Sequence, residues 1–559
     1  MMAVDEHPAP ALGSVDLGNP GSRLGKRLAS WLTLGIPAAL VLVFIVLPVS
    51  AVLIKSVVTP QGIGLDHYLR FFEKSYYFRS LANSLTLASV TTVILTVTGF
   101  VFAFLCVRLP RWQGKFFRVT ALMPLVAPPF IFSLALILLA GRNGVGARLL
   151  DLDINIYGWT GVICAQVITF LPMAFVMIEN VLREVNSDFE AAGANLGANP
   201  VRILKDIILP LVMPGIFKAA LLIFILAIAD FGNPILVGGN VSFLATDAYL
   251  LWVGENNPSM AAVFCVFLIL PGILIFILHK TWLKNREYPI QGNSDYAPVD
   301  RRLLAPFLGI ALPLVMVILA CFCVIGFGAF TRLIMVDNSF TLAHFLRQTG
   351  LRAMGTSLVF AVNSALISTV LGVGLSYLLS RHRHLASGAL EFLSLLGFAV
   401  PGVVMGIGYL LVFNSPMLAL TGTLAIMALN EGFRNLGVGV EAGLGRLQQM
   451  DLAVEDAAGD LGAGKVRIFF TIVLPQMKAM ILSTFVYTFM VSMVTVSAVI
   501  FLIAPGRQLA SVYILSVAEQ GEMGAACAMS LILIAIVTLC MGLLSLISRI
   551  TQQNMKRVY

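Results

Sequence analysis

Long apolar runs constrain the fold of this chain more than any other feature of its sequence. Twelve of them occur along the 559 residues, each between 21 and 26 residues long. A transmembrane helix needs about 20 apolar residues to cross a hydrocarbon core of about 30 Å, whereas a spanning β-strand needs only about 9–11 alternating residues. The runs therefore predict an all-α, polytopic membrane protein with about 12 transmembrane helices. They cover residues 31–54, 82–107, 119–140, 157–182, 212–237, 259–279, 305–330, 355–380, 390–413, 418–443, 478–503 and 525–548.

The composition agrees with a membrane environment and excludes other classes of protein. Hydrophobic residues make up 59% of the chain and charged residues 11%, whereas a soluble domain is about 25% charged. The net charge of +8 does not indicate a nucleic-acid partner, because the basic residues lie mostly in short segments between apolar runs. The seven cysteines lie inside apolar runs without zinc-type spacing, so we expect neither a metal site nor a cofactor.

The distribution of basic residues predicts how the chain is oriented. With the N-terminus in the cytoplasm, 26 of the 36 Lys and Arg residues lie on the inner side, as the positive-inside rule requires. The first apolar run is longer than the core of a cleavable signal, which is about 7–15 residues, and it follows a polar stretch. We therefore expect a multi-pass protein of a bacterial inner membrane, with both termini cytoplasmic and residues 1–30 as a flexible tail.

The sequence contains an internal repeat. Eight positions in or directly after the second run recur in or directly after the eighth run at a constant offset of 273, and seven positions after the fourth run recur after the tenth at an offset of 265; six of each are named below. The first set is Ser84, Ala88, Thr96, Gly99, Leu105 and Arg108, matched by Ser357, Ala361, Thr369, Gly372, Leu378 and Arg381. The second set is Leu196, Gly197, Ala198, Arg202, Ile207 and Pro210, matched by Leu461, Gly462, Ala463, Arg467, Ile472 and Pro475.

The repeat predicts two tandem six-helix halves that insert with the same orientation. Parallel repeats of this kind place a transport pathway at the interface between the halves. We expect a first permease half at 31–283, a cytoplasmic linker at 284–303, a second half at 304–551 and a cytoplasmic tail at 552–559.

One long cytoplasmic segment lies between the fourth and fifth runs of each half, over 188–210 and 455–475. Each segment has an acidic start, an Ala-rich stretch, a Gly and a final Pro before the next run. Acidic residues suit a helix N-terminus, and Gly readily ends a helix. The pattern predicts a short surface helix that fits a groove of a partner, and its duplication predicts a partner with two equivalent grooves.

Both segments resemble the EAA loop of binding-protein-dependent ABC importer permeases, which reads Glu-Ala-Ala, three residues, Gly, nine residues, Ile-x-Leu-Pro. The second segment fits from Asp456 through Gly462 to Pro475, with Asp in place of Glu. The first segment fits from Gly197 onward, but Glu190 stands one residue too early. Two six-span halves fused in one polypeptide resemble the iron(III)-type branch of that family.

The resemblance implies a permease without enzymatic activity of its own. A homodimer of separate ATP-binding subunits would hydrolyse ATP on the cytoplasmic side, and a periplasmic binding protein would deliver the substrate. The implied ATPase-coupling residues are Glu190, Ala192, Gly197, Asp456, Ala457 and Gly462. The resemblance favours ferric iron as the substrate, with 2-aminoethylphosphonate, sulfate, thiamine or a polyamine as alternatives.

Two other functions have weaker support in the sequence. The segment from Gly459 to Lys465 nearly spells a phosphate-binding P-loop, but Val466 stands where Ser or Thr would hold magnesium, so nucleotide binding by this chain is not expected. An ion-coupled secondary transporter would also have two six-span halves. That class needs an ion relay within the membrane and has no use for two EAA loops.

Polar residues within the apolar runs are candidates for a translocation pathway, because they are costly in a membrane. Four lie in the fifth and eleventh runs, near the expected interface between the halves: Asp230, Asn233, Thr495 and Ser497. Interhelical hydrogen bonding is the alternative interpretation of these four residues. Glu179, Asn180, Glu431, Arg434 and Glu441 are further charged or polar residues in the fourth and tenth runs.

Overall fold

The computed structural model describes residues 35–142, 144–149, 155–278, 301–381, 387–415, 418–504 and 506–558. Helices dominate this part of the chain, and its only strands form three short antiparallel hairpins. The predicted tail 1–30 and residues 284–300 of the predicted linker lie outside the described residues.

The described residues of the first half form twelve helices and two short strands. They are α1 (Gly35–Val57), β1 (Val58–Thr59), β2 (Gly62–Ile63), α2 (Asp66–Glu73), α3 (Ser75–Arg108), α4 (Arg111–Leu122), α5 (Phe130–Ala140), α6 (Val145–Leu149), α7 (Trp159–Glu184), α8 (Ser187–Asn195), α9 (Pro200–Ile228), α10 (Gly232–Val237), α11 (Leu244–Val253) and α12 (Pro258–Leu278).

The second half follows a similar order. Its elements are α13 (Arg301–Phe330), β3 (Thr331–Leu333), β4 (Asp337–Phe340), α14 (Gln348–Arg381), α15 (Ser387–Ala399), α16 (Gly402–Phe413), β5 (Asn414–Ser415), β6 (Leu418–Ala419), α17 (Leu424–Arg434), α18 (Leu436–Gln448), α19 (Leu452–Asp460), α20 (Lys465–Gln476), α21 (Lys478–Val494), α22 (Ala510–Glu519) and α23 (Met523–Val558). The second half has a second hairpin, and it has two helices, α17 and α18, where the first half has the single helix α7. Helix α23 continues through most of the predicted tail at 552–559.

The all-α, polytopic fold is confirmed, but the count of twelve spans is not. Eight helices of the described residues are long and apolar enough to cross a membrane, or eleven if each sharply bent pair is one span. The axes of α4 and α5 meet at 105°, those of α15 and α16 at 107°, and those of α20 and α21 at 71°. The run predicted at 418–443 forms α17 and α18, which are separated at Asn435.

Two of the three sharp bends have proline at the break between their helices, a cause that hydropathy does not register. Helix α4 continues as a short 3-10 helix to Val126, and Pro128 and Pro129 lie between this extension and α5. Pro401 lies between α15 and α16. Proline lacks the backbone N–H that an α-helix needs, and it drives the preceding residue toward extended backbone. Ala127 is extended accordingly, with ψ of 144°.

The first helix of each half packs against the other half. In α1, the backbone carbonyl of Phe44 accepts a hydrogen bond from the Tyr409 hydroxyl of α16 at 2.8 Å, and its ring stacks on Phe433 of α17. In α13, Phe307 stacks on Phe104 of α3, with ring centroids 4.7 Å apart. This exchange links the halves into one packed body.

Small residues let the central helices of each half approach closely. A Cβ added at Gly372 of α14 would lie 2.8 Å from the Cα of Gly439 in α18, and one added at Gly99 of α3 would lie 2.9 Å from the Cβ of Ala174 in α7. Interfaces of membrane helices are rich in such residues, because close packing replaces the hydrophobic effect as the driving force. Gly99 and Gly372 are repeat positions, so both halves use the same crossing.

Candidate functional site

The first EAA-like segment folds as a capped helix followed by a tight turn. The Asn186 side chain caps α8 by accepting a hydrogen bond from the backbone N–H of Asp188 at 2.9 Å. Gly197 then adopts φ of +82°, and the N–H of Ala198 donates to the carbonyl of Gly193 at 3.0 Å. A glycine with positive φ is the usual end of a helix, because it has no Cβ to oppose the left-handed conformation.

The second segment has the same construction. Asp451 caps α19 by accepting from the N–H of Ala453 at 3.0 Å. Gly462 adopts φ of +85°, and the N–H of Ala463 donates to the carbonyl of Ala458 at 3.0 Å. We call these segments the first and second coupling loops, residues 186–200 and 451–465. Their matching bonds put the loops in register at the offset of 265.

An arginine–glutamate pair, buried in the first half and partly buried in the second, joins each coupling loop to the second long helix of its half. Arg108 ends α3 and donates to Oε2 of Glu190 through Nη1 at 2.7 Å, with a second contact between Nη2 and Oε1. Arg381 ends α14 and donates to both carboxylate oxygens of Glu455 through Nε, at 3.1 and 3.2 Å. A guanidinium that meets a carboxylate through two contacts is a strong and geometrically specific pair. We call these contacts the clamps.

The clamps show which acidic residues of the two loops are equivalent. Glu190 and Glu455 occupy the same repeat position and make the same contact, whereas Asp456 is exposed. In the family pattern, Asp456 takes the Glu position of the second loop, whereas Glu190 stands one residue before the equivalent position of the first loop. Sequence reasoning missed Glu455 and the clamping role of Arg108 and Arg381, although both arginines were among the repeated positions.

The remaining predicted coupling residues lie on the surface of the loops. Ala192 and Gly197 of the first loop are exposed, as are Asp456, Ala457 and Gly462 of the second. Beside them, the apolar side chains of Leu196 and Leu461 are 88% and 89% exposed. These leucines occupy the same repeat position, so each loop presents one bare apolar side chain next to its terminal glycine.

A cavity of about 180 Å³ lies between the two halves. Three of the four predicted pathway residues line it: Asp230 from the first half, and Thr495 and Ser497 from the second. Arg434, at the end of α17, also lines it. We call this space the interhalf cavity. The fourth predicted residue, Asn233, is buried behind it and donates from Nδ2 to the Asp230 carboxylate at 2.9 Å.

Buried hydrogen bonds hold the polar groups of the first half in place. Gln166 of α7 donates from Nε2 to Asp230 at 3.1 Å and accepts from the Thr91 hydroxyl of α3 at 2.9 Å. The Ser133 hydroxyl of α5 donates to Oδ1 of Asn233 at 2.8 Å. Interhelical bonding, the alternative interpretation, therefore applies to Asn233, while Asp230 takes part in the network and also faces the cavity.

The two halves carry their buried carboxylate at different positions of the repeat. Gln166 and Asp230 correspond, at the offset of 265, to Glu431 and Thr495. Thr495 donates to Oε2 of Glu431 at 3.3 Å, and Asn435 donates to Oε1 at 2.9 Å. In the first half, the amide of Gln166 lies on α7 and the carboxylate of Asp230 lies at the break after α9. In the second half, the carboxylate of Glu431 lies on α17 and the hydroxyl of Thr495 lies at the break after α21.

Arg434 is the cation closest to these groups. Its Nη1 lies 3.6 Å from Oε2 of Glu431, one helical turn away, which confirms the predicted proximity of the two side chains. Among the described residues, no group of three or more His, Cys, Asp or Glu side chains could hold a metal ion. Glu179 is paired instead with Arg183 and Arg118, and Asn180 and Glu441 are exposed.

Comparison with known proteins identifies the repeat. The family described as binding-protein-dependent transport system inner membrane component matches the chain twice, over residues 95–286 and 368–557. The chain belongs to this family. Each match contains one coupling loop and the polar pair of its half, so both sites lie within the matched ranges.

Several relatives cover most of the chain. The ferric transport system permease protein of Actinobacillus pleuropneumoniae is 29% identical over 518 residues, which span 89% of this chain and 75% of the relative. The putative ferric transport system permease protein 1 of Haemophilus influenzae is 29% identical over 492 residues, covering 85% of this chain and 78% of the relative.

A shorter relative corresponds to part of the chain. The molybdenum transport system permease protein of Escherichia coli is 30% identical over 214 residues, which make up 37% of this chain but 93% of the relative. A length of chain comparable to one half here is nearly a whole permease protein there. The present chain is therefore a transporter component of the ABC permease class with two permease units in one polypeptide.

Proposed function

We propose that this chain forms the complete membrane channel of an ATP-driven importer of ferric iron. A homodimer of ATP-binding subunits engages the two coupling loops on the cytoplasmic side, and a periplasmic binding protein delivers the ion. The observation that carries the proposal is the pair of equivalent, exposed coupling loops, each clamped by arginine to the body of its own half.

The clamps give ATP-driven motion a route into the channel. A surface helix held only by its flanking turns would move without displacing the helices behind it. The contact between Arg108 and Glu190 ties α8 to the end of α3, and α3 also packs against α7 and the crossing helix α13. Coupling between sites travels through rigid, contiguous elements, and a helix fixed by a two-contact ion pair supplies such a connection from the loop to α3.

The exposed surface of each loop is suited to a groove of the ATPase. Small residues at Ala192 and Ala457 allow close backbone approach, and the terminal glycines Gly197 and Gly462 leave open space on all sides. Leu196 and Leu461 would be buried on docking. Contacts of this kind bind through an apolar anchor in a pocket, with small residues around it.

The chemistry of the interhalf cavity favours ferric iron over the anionic alternatives. Fe³⁺ is a hard cation that is attracted by carboxylate and hydroxyl oxygens, and Asp230, Thr495 and Ser497 supply these at the cavity wall. A sulfate or phosphonate would meet the Asp230 carboxylate, while the charge of Arg434 is already opposed by Glu431. Too few ligands converge for tight coordination, which suits a site that an ion must leave.

Reconstitution tests the proposal. The chain would be placed in proteoliposomes with its ATPase, with the binding protein loaded with ferric iron on one side and ATP on the other. We expect iron uptake that requires both ATP and the binding protein, and that persists when proton and sodium gradients are collapsed. Uptake driven by an ion gradient without ATP would favour the secondary-transporter alternative, and ATP-dependent uptake of sulfate instead of iron would refute the substrate.

The orientation is part of the proposal and has its own test. Both coupling loops and both termini are placed in the cytoplasm by the positive-inside distribution. A single cysteine at Leu196 or Leu461, in a chain whose native cysteines are replaced, would react with a membrane-impermeant maleimide only from the inner side. Labelling of either position from the periplasm would contradict the shared orientation of the halves.

A further inference from the structure

Helix α4 has three distinct faces. Gly114, Phe117 and Ala121 are buried against the protein. The opposite face carries the exposed apolar side chains Trp112, Phe116 and Val119, with Trp112 72% exposed. A third face carries three exposed cations at the same helical spacing: Arg111, Lys115 and Arg118.

The order of these faces around the helix suits a membrane surface. At 100° per residue, the cationic face lies between the buried face and the apolar face. One side of the helix therefore packs against the protein, and the opposite side points aromatic and branched side chains outward. The cations lie along the edge between these two sides. Trp and Phe beside Lys and Arg are typical of helices that lie in the boundary between headgroups and acyl chains.

The bend at its end gives α4 the direction that such a position needs. The axes of α4 with its 3-10 extension and of α5 meet at 105°. Helix α5 is apolar and packs against the long helix α7. If α5 follows the membrane normal, α4 runs close to the membrane plane, so all three cations lie at one depth.

The cationic edge is incompletely neutralised by the protein. Arg118 lies 3.5 Å from Glu179, but that carboxylate also accepts from Nη2 of Arg183 at 2.7 Å. Within the described residues, no carboxylate forms an ion pair with Arg111 or Lys115. The corresponding helix of the second half, α15, contains Glu391 and neither Lys nor Arg, so within these two described helices the cationic edge occurs only in α4.

We propose that α4 is a binding site for anionic phospholipid headgroups. The phosphate of the lipid is held by Arg111 and Lys115, whereas Arg118 is paired with Glu179. Its acyl chains lie against Trp112, Phe116 and Val119. The occupant is a lipid and not a protein partner. A phospholipid presents an anionic headgroup and apolar acyl chains side by side, and α4 presents a cationic edge and an apolar face side by side.

Fluorescence quenching by brominated lipids tests this site without relying on transport. The full chain would be reconstituted in phosphatidylcholine vesicles containing either brominated phosphatidylglycerol or brominated phosphatidylcholine. The Trp112 signal is the difference between the wild-type chain and a Trp112→Phe variant. We expect Trp112 to favour the anionic lipid by about fivefold for each available cation, and this preference to fall as salt is raised.

A double variant identifies the groups responsible. Arg111→Gln/Lys115→Gln should reduce the preference to about one, whereas Lys465→Gln/Arg467→Gln, which removes two exposed cations from α20, should leave it unchanged. Equal quenching of the wild-type chain by both lipids at low salt would overturn the proposal. So would a preference that survives the double variant, or an absence of quenching by either lipid, which would place a protein surface on α4.

Discussion

The coupling loops and the interhalf cavity are related by the same repeat, yet they have diverged to different degrees. The loops keep equivalent caps, glycine turns, exposed leucines and arginine clamps, from Arg108 and Glu190 in one half to Arg381 and Glu455 in the other. Around the cavity, the pair Gln166–Asp230 faces the pair Glu431–Thr495, and the carboxylate has changed position. A homodimeric motor requires two equal contacts, whereas an ion crossing the interface can be met by unequal walls.

The largest effect is expected when the clamp of one half is removed and that of the other half is kept. Replacement of Arg108 by Met leaves Glu190 buried without its main partner, and loss of one member of a buried pair costs about 3–5 kcal/mol. Arg381→Met should do the same in the second half. We expect each variant to lose more than about 90% of ATP-driven uptake, measured in proteoliposomes at equal protein content.

The charge exchange Arg108→Glu/Glu190→Arg is the control for the clamps. It keeps an ion pair at the same place and should restore part of the uptake lost in Arg108→Met. If one clamp could be removed without loss while the other could not, the two loops would not be functionally equivalent.

The second prediction concerns the position of the carboxylate in the cavity. Asp230→Thr removes it from the first half and should lower iron uptake about tenfold, because one favourable charge contact is worth about 1–2 kcal/mol. Adding Gln166→Glu gives the first half the arrangement of the second and should recover most of the uptake.

ATPase activity separates this effect from the first. It should remain near the wild-type value in Asp230→Thr, because the coupling loops are untouched. A variant in which uptake and ATPase activity fall together would place Asp230 in coupling or folding, and not in the pathway.

A third prediction tests the glycine turn of the second coupling loop. Gly462→Asp introduces a charged side chain at an exposed position with φ of +85°. The left-handed conformation costs a non-glycine residue roughly 1–2 kcal/mol, which is small for a chain of this size, so the protein should still insert. We expect loss of co-purification with the ATPase. Gly464→Asp, two residues on at an ordinary φ of −67°, is the matched control and should retain most of it.

The smallest effect is expected at the exposed leucines. Leu196→Ala and Leu461→Ala remove side chains that contact little within the chain, so thermal stability should not change. Each should weaken ATPase binding by about 1–2 kcal/mol, the usual cost of truncating an apolar anchor, as measured by titration in detergent. Unequal losses at the two positions would show that the ATPase dimer meets the loops asymmetrically.

The sequence predicted the helical membrane fold, the two repeats and a short helix ending at glycine in each loop, because these depend on run length, repetition and local capping. It did not predict the bends at Pro128–Pro129 and Pro401, since a bent pair is as apolar as a straight span. It also did not single out Glu455 as the counterpart of Glu190. The family pattern aligns each loop separately with a consensus sequence. The equivalence of Glu190 and Glu455 appears only when the two halves are compared with each other and the arginine that contacts each glutamate is known.

The cavity was predicted in part. Asp230, Thr495 and Ser497 stood out as polar residues in apolar runs, and they do line one space between the halves. The role of Asn233 as a buried support could not be read from the sequence, because its neighbours in space, Ser133 and Thr169, come from two other helices. Arg434 was noted for its spacing from Glu431, and its position at the cavity depends on how the halves pack.

The central claim is that one copy of this chain offers two equal docking sites to a homodimeric motor. Native mass spectrometry of the complex purified from a membrane measures this directly, through the number of ATP-binding subunits per chain. We predict one chain with two ATP-binding subunits for the wild type, and a sharply reduced complex when either Gly197 or Gly462 is replaced by Asp. A complex with two copies of this chain, or with one ATP-binding subunit that is insensitive to one of the two replacements, would contradict the account.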